Sequence, residues 1–348
     1  MMNRNLAFLL QAGLWGVAVT VPQASRQMLH SGQRLTLGAR VGMLSLPSAT
    51  TGQDQLNRIA TNGRDRILVS EATTRELLVL TGDGRLLSRS SLLADHMASP
   101  GAMAFLSPTT FAVMDRGRAY VLVARLRSDS AILVAHGTPR IGATSGACGL
   151  NGTFVVAGLE GTPAQSQDIL HEVDAHGQVV HSFGTPLGGT DSTAWAERLL
   201  LAPSVVVCTP ARAVVTIASQ VSGKVRAIGE RGSVKWTFAP PHFIPMGYES
   251  TSRSMRYVWP ADSLWDMVET IFMPAPGVVA LQVTRLLGTH PDSALSVSTY
   301  FLESQTGRLI STQADLPLVR AVLPGRLYTT GKDFKPASLE IHAFHWGL

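Results

Sequence analysis

The chain has 348 residues, of which 45% are hydrophobic and 15% charged, so it can bury a sizeable core and is not a disordered segment. Its formal net charge is +5, yet the arginines stand singly, with no basic run and no interleaved aromatics, which argues against nucleic acid as a partner. Two cysteines in a chain of this length exclude a disulfide-built scaffold and leave most of the stability to packing.

The first element is a leader. Arg4 supplies a positive start, and residues 6–21 form an almost uninterrupted apolar run, short for a membrane-spanning helix and suited to a signal-peptide core. Residues 1–25 therefore predict export to the periplasm or beyond. They do so either as a cleaved signal or as an uncleaved membrane anchor, because processing after Ala24 would put Pro22 where a small residue is wanted. No cysteine lies near this segment to carry a lipid. Residues 26–348 are expected to form one domain.

Beyond residue 30 no amphipathic helix is predicted. Short β-branched or alternating runs are separated by Gly, Pro and Asn turns, the pattern of many short strands. The clearest unit has strands at 66–70, 76–80 and 85–88, the last two joined by Gly82-Asp83-Gly84. It returns at 111–114, 119–123 and 132–134, then at 153–156, 169–173 and 178–183. Looser copies follow at 214–217, 224–228 and 234–238, and at 278–281, 295–300 and 308–310. A repeat of roughly forty to fifty residues with several strands per unit is the mark of propeller blades.

Segments such as 56–60, 102–106, 205–208 and 319–323 precede these units and supply a fourth, inner strand to each blade. The last unit, 325–330 and 338–344, has no outer strand of its own. The alternating run 34–41 is spare and is predicted to complete it, closing an all-β ring of six blades and hiding two sheet edges.

The units, above all residues 169–183 with Asp174, the His176-Gly177 turn and the following QVVHSFG, resemble those of NHL-type and related bacterial six-bladed propellers. The resemblance implies architecture and leaves function broad. Such propellers include sugar-, lipid- and protein-binding modules as well as lactonase-like and lyase-like enzymes.

Loop lengths separate the two faces of the ring. Tight turns at Asp83-Gly84, His176-Gly177, Arg231-Gly232, Thr306-Gly307, Asn62-Gly63, Asn151-Gly152 and Pro324-Gly325 belong to one face. The long loops 159–167, 184–197, 239–266, 286–293 and 331–337 belong to the other, where binding is expected. The 239–266 crossing collects Phe243, Tyr248, Tyr257, Trp259 and Trp265 with Arg253 and Arg256, the composition of an interface hot spot. Its aromatics either face a protein partner, pack inward as a plug or cover, or line a ligand pocket.

Other constellations carry less. His171, His176 and His181 recur every five residues, but alternation sets His171 and Glu172 on opposite sheet faces, so they read as exposed strand histidines and no metal is expected. His342 and His345 likewise face opposite ways. The inner segments 102–106, 144–150 and 319–323 lack carboxylates and leave Glu269 alone, short of the ligand set that a lactonase-like calcium site would need. No serine sits in a nucleophile elbow. Asn151-Gly152-Thr153 reads as a tight turn before a glycosylation sequon. Cys148 and Cys208 fall on inner strands of consecutive blades and are expected as buried free thiols; a bridge would need Cα atoms within about 7 Å.

These features point to a non-catalytic, extracytoplasmic binding or scaffold propeller without a cofactor. It would dock onto a protein partner as an extrinsic subunit of a membrane-associated complex. A tunnel-mouth hydrolase or lyase and a carbohydrate- or cell-wall-binding module are the alternatives.

Overall fold

The computed structural model describes residues 32–45, 59–71, 74–115, 118–128, 130–142, 146–161, 166–186, 198, 201–209, 214–250, 255–258, 263–288, 294–331 and 338–347. Six four-stranded antiparallel sheets follow one another along the chain. Blade I holds Ile59–Thr61, Arg66–Ser70, Leu77–Thr81 and Leu86–Ser90, and a one-turn helix, Leu92–His96, follows it. Blade II holds Pro100–Phe105, Thr110–Asp115, Tyr120–Leu126 and Ala131–Gly137. Blade III holds Ala147–Leu150, Thr153–Ala157, Leu170–Val173 and Val179–Phe183. Blade IV holds Ser204–Thr209, Val214–Ser219, Val225–Gly229 and Val234–Phe238. Blade V holds Leu264–Ala275, Val278–Leu287, Ser296–Glu303 and Leu309–Ala314. Blade VI holds Leu318–Leu323, Arg326–Thr330 and Ser338–Gly347, and Arg34–Ser45 completes it.

Each sheet follows from its sequence pattern. The second and third strands of a blade are covered on both faces by neighbouring blades, so they read as continuous apolar runs: Phe111 to Met114 and Val121 to Ala124 are all buried. Outer strands touch a neighbour on one face only, and Ala131–Gly137 accordingly alternates between half-buried and exposed positions. The core lies in the seams between blades. Leu68, Leu77 and Leu93 meet Phe111 and Leu122 between blades I and II. Phe301 meets Trp346 at 4.7 Å between ring centroids at the seam of blades V and VI.

The predicted closure is present and runs longer than expected. Arg34–Ser45 pairs antiparallel with Ser338–Gly347, from Arg34 opposite Gly347 to Ser45 opposite Ser338, with register shifts on either side of Arg40. Leu35 is buried against Phe272, Phe301 and Leu327. The Gln313 side chain of blade V accepts from the Leu35 N–H at 2.8 Å and donates to its carbonyl at 3.1 Å. The Asn151-Gly152 turn also stands as read, with φ of 49° and 88°, the left-handed pair that a type I′ hairpin requires.

Two expectations are corrected. Cys148 and Cys208 are not free thiols; their sulfurs are bonded at 2.03 Å, with Cα atoms 5.6 Å apart. The cause is the close approach of inner strands near the axis. A Cβ on Gly149 would lie 1.7 Å from the Phe105 carbonyl oxygen of blade II, and one on Gly146 would lie 2.7 Å from the Ser204 carbonyl oxygen of blade IV. Blade III therefore enters the ring as a bare-backbone wedge, which brings the two cysteines within bonding range.

His171 is not an exposed strand histidine either: it sits on the third strand of blade III, between neighbouring blades, and is fully buried. Its Nε2 lies 3.2 Å from the Gly158 carbonyl and its Nδ1 2.8 Å from Ser182 Oγ. A carbonyl only accepts, so Nε2 carries the proton and Nδ1 accepts from the serine hydroxyl. Burial pushes its pKa below the ordinary value. His181 does stay at the surface, 3.8 Å from Glu172.

Among the described residues no helix is long and apolar enough to cross a membrane. The expected leader, residues 1–25, lies outside them.

Candidate functional site

The predicted docking element takes shape between blades IV and V. Blade V's inner strand begins at Leu264, so the crossing ends three residues earlier than the loop boundary read from sequence. Within it, Gly247–Ser250 pairs antiparallel with Met255–Val258, setting Tyr248 opposite Tyr257 and Glu249 opposite Arg256. The base of this hairpin is clamped by a buried carboxylate. Arg285 donates to both oxygens of Asp266, at 2.8 and 2.9 Å. The Ile244 N–H donates to Asp266 Oδ2 at 2.8 Å, and the Asp266 N–H returns a bond to the Ile244 carbonyl at 2.7 Å. A bidentate pair of this kind fixes direction as well as distance.

The aromatics divide. Trp265 is 6% exposed, packs with Met246, Met267, Leu286, Val297 and Leu318, and donates its indole N–H to the Gly288 carbonyl at 3.0 Å. It is a core residue of the seam between blades V and VI and is unavailable to a partner. Phe243 lies half-buried against the core cluster containing Trp236 and covers Gly223. Tyr248 is 46% exposed and remains at the surface. Arg253 and Trp259 lie outside the described residues, as do the side chains of Arg256 and Tyr257. The hot spot expected from composition is thus split into an inward anchor, Phe243 and Trp265, and an outward strand carrying Tyr248.

A second site occupies the axis. The six inner strands are edge strands of their sheets and enclose a cavity of about 1550 Å³, whose wall includes Ile59, Phe105, Val207, Ile271, Met273 and Val322. Its rim is formed by first-to-second-strand turns, among them Asn62-Gly63, Asn151-Gly152 and Pro324-Gly325. It therefore opens on the tight-turn face, opposite the hairpin and away from the face on which long loops led us to expect binding.

At the deep end, Arg320 Nη1 donates to Glu269 Oε1 at 2.7 Å and Arg320 Nε donates to Thr330 Oγ1 at 3.1 Å. The two charged side chains are 3% and 8% exposed, and Arg320 Nη2 is buried without an acceptor among the described residues.

Both residues of the pair stand on β-bulges. Val268 pairs with Val283 and Thr270 with Gln282, leaving Glu269 as the extra residue. Val319 pairs with Thr329 and Ala321 with Tyr328, leaving Arg320 extra. A bulge re-aims one side chain out of the pleat, which is how two charges from adjacent blades meet here. Glu269 was visible in the sequence as a lone inner-strand carboxylate; its partner was not. The signal that could have found it is the single arginine interrupting the apolar strand LVRAVL.

Among the described residues no group of three or more His, Cys, Asp or Glu side chains is placed to share a metal ion. Of the two carboxylates lining the cavity among the described residues, Glu269 is engaged by Arg320 and Glu303 by Thr306 and Arg308.

Fold and site together define a six-bladed β-propeller with four-stranded blades, a clamped hairpin over one face and an axial cavity open to the other. No protein-family model matches the sequence, and no curated protein matches it. Among solved structures, the chain is similar to a member of the DUF4221 family from Bacteroides vulgatus, with a TM-score of 0.59 and 7% identity over 91% of this chain and 99% of that one. It is also similar to a candidate exported protein of Bacteroides fragilis, with a TM-score of 0.50 and 10% identity over 90% of this chain and 96% of that one. At such identities the likeness concerns the fold alone.

Proposed function

We propose that this chain is an extracytoplasmic, non-catalytic binding propeller that docks onto a protein partner through the 247–258 hairpin. The observation that carries the reading is the hairpin's construction. The buried Asp266 carboxylate, held by the partly exposed Arg285, and the inward anchors Trp265 and Phe243 support a short antiparallel pair that presents Tyr248 to solvent. A rigid base lowers the ordering cost of binding, and an exposed tyrosine supplies contact area with few rotatable bonds.

Compartment is supported by two independent features. The Cys148–Cys208 bond suits an oxidising environment, and the apolar run 6–21 suits export. The units around residues 169–183 favour an NHL-type relation within the propellers, and an extrinsic subunit of a membrane-associated complex is the setting that joins these features. A lactonase-like calcium site is not favoured, since both carboxylates lining the cavity among the described residues already have partners.

The test is a pull-down from membranes with tagged wild-type protein and with Tyr248→Ala/Tyr257→Ala, read by quantitative mass spectrometry. A partner retained by the wild type should drop at least roughly tenfold with the variant, the size expected for removing interface tyrosines. An unchanged set of partners at equal bait folding would move the docking surface elsewhere.

A further inference from the structure

We infer that the axial cavity is a thiol-exchange site: a low-molecular-weight thiol enters from the tight-turn face and forms a mixed disulfide with Cys148, and Cys208 is the resolving thiol that restores the bond. The site is distinct from the hairpin surface and opens on the opposite face.

Four observations carry this. Cys148 and Cys208 both belong to the wall of the axial cavity, so their bond crosses the seam where it meets the open axis. The two cysteines are unlike. Cys148 is partly exposed and stands between Ala147 and Gly149, two cavity-lining residues with no side chain long enough to cover it. Cys208 is 7% exposed and packs among Val155, Val206, Val215 and Ile217. The seam also holds without the bond, because that cluster and the close approach of Gly146 to Ser204 join blades III and IV by packing. The sulfurs can therefore part while the fold remains. Finally, the cavity measures about 1550 Å³, more than the roughly 300–1,000 Å³ of an ordinary small-molecule pocket. A tripeptide-sized thiol fits inside it, and a folded protein carrying a thiol does not.

The chemistry balances as two exchanges. The thiolate of the entering molecule attacks Cys148 Sγ, the S–S bond breaks, and Cys208 leaves as a thiolate and takes up a proton. The entering sulfur is then bonded to Cys148. The bond is restored when Cys208, whose Cα is 5.6 Å from that of Cys148, gives up its proton, attacks Cys148 Sγ and expels the small thiol. Alternatively, a second small thiolate attacks the first one's sulfur and departs with it as the oxidised dimer. Two small thiols are then oxidised, and both cysteines are left reduced.

The experiment treats full-length oxidised protein, at conditions where circular dichroism shows it folded, with dithiothreitol or with thioredoxin at equal dithiol concentration. Alkylation stops the reaction and mass spectrometry counts the modified cysteines. Thioredoxin has the larger thiolate fraction, so a bond on the outer surface would open faster with it. A bond reached through the cavity should open at least about tenfold faster with dithiothreitol. In a second arm, Cys208→Ala leaves Cys148 as the one thiol, and Cys148→Ala leaves Cys208. With oxidised glutathione, Cys208→Ala should gain a glutathionyl group at least about tenfold faster than Cys148→Ala.

Reduction by thioredoxin at an equal or faster rate would overturn the proposal, as would reduction by dithiothreitol only at urea concentrations that unfold the chain. Glutathionylation of Cys208 as fast as that of Cys148 would overturn it too. The wild-type arm needs no variant and decides even where a single-cysteine chain fails to fold.

Discussion

The ring is joined in two unlike ways, and the comparison shows what each can hold. At blade VI the join is long, peripheral and non-covalent: Arg34–Ser45 pairs along Ser338–Gly347, buries Leu35, and is stitched to blade V through Gln313. At blades III and IV the join is a single covalent bond near the axis, between segments already pressed together at Gly146. The first makes the closed fold, since without it the last blade has an open edge. The second adds to a seam that packing has already formed.

The largest effect should therefore come from the peripheral join. Leu35→Asp puts a charge among Phe272, Phe301 and Leu327 and is expected to cost about 4 kcal/mol or more, with sedimenting aggregate from the released edge. Urea unfolding followed by tryptophan fluorescence measures it, and a near-wild-type midpoint would show that closure does not depend on this strand.

Next comes the axial bond. Cys148→Ser/Cys208→Ser opens a loop with a sequence separation of 60, worth about 4 kcal/mol on the loop-entropy model and often less in practice. Unlike Leu35→Asp, this variant should remain folded by circular dichroism and melt roughly 10 °C lower. Unreduced wild-type protein should resist thiol alkylation at both positions.

The smallest effect tests whether ion pairing contributes to closure. Arg40 and Glu340 meet at 3.1 Å across the blade VI seam, with side chains 56% and 39% exposed. The Glu340 carboxyl is held below its usual pKa by hydrogen bonds from His342 and Arg40, but exposure and salt screen the pair, so Arg40→Ala should shift stability by under about 0.5 kcal/mol. A larger loss that shrinks with added salt would move part of the closure into electrostatics.

The peripheral join was legible in the sequence because two independent signals agreed: an alternating run at 34–41 with no unit of its own, and a last unit lacking a strand. The axial join was not. Cysteines on consecutive inner strands were visible, but their separation depends on how far the Gly146 and Gly149 backbones let blade III intrude, and no periodicity reports that. The candidate sites divide likewise. An aromatic-rich crossing is visible as composition, while the direction each ring faces is decided by where blade V's strand begins, and a three-residue error there turns Trp265 from a surface anchor into core. Arg320 eluded the reading because a bulge breaks the alternation by which strand faces are assigned, and its partner lies 51 residues away.

The closing strand also imposes a timetable. Its partner, Ser338–Gly347, is synthesised roughly 300 residues later, about 15–60 s at ordinary rates of translation. Throughout that interval the segment Arg34–Ser45 lacks its ladder partner, and it carries Val41 and Met43, which stay exposed even in the closed ring. The nascent chain thus holds an unpaired edge for the whole of that interval, and its yield will track whatever shelters that edge while the ring is being made.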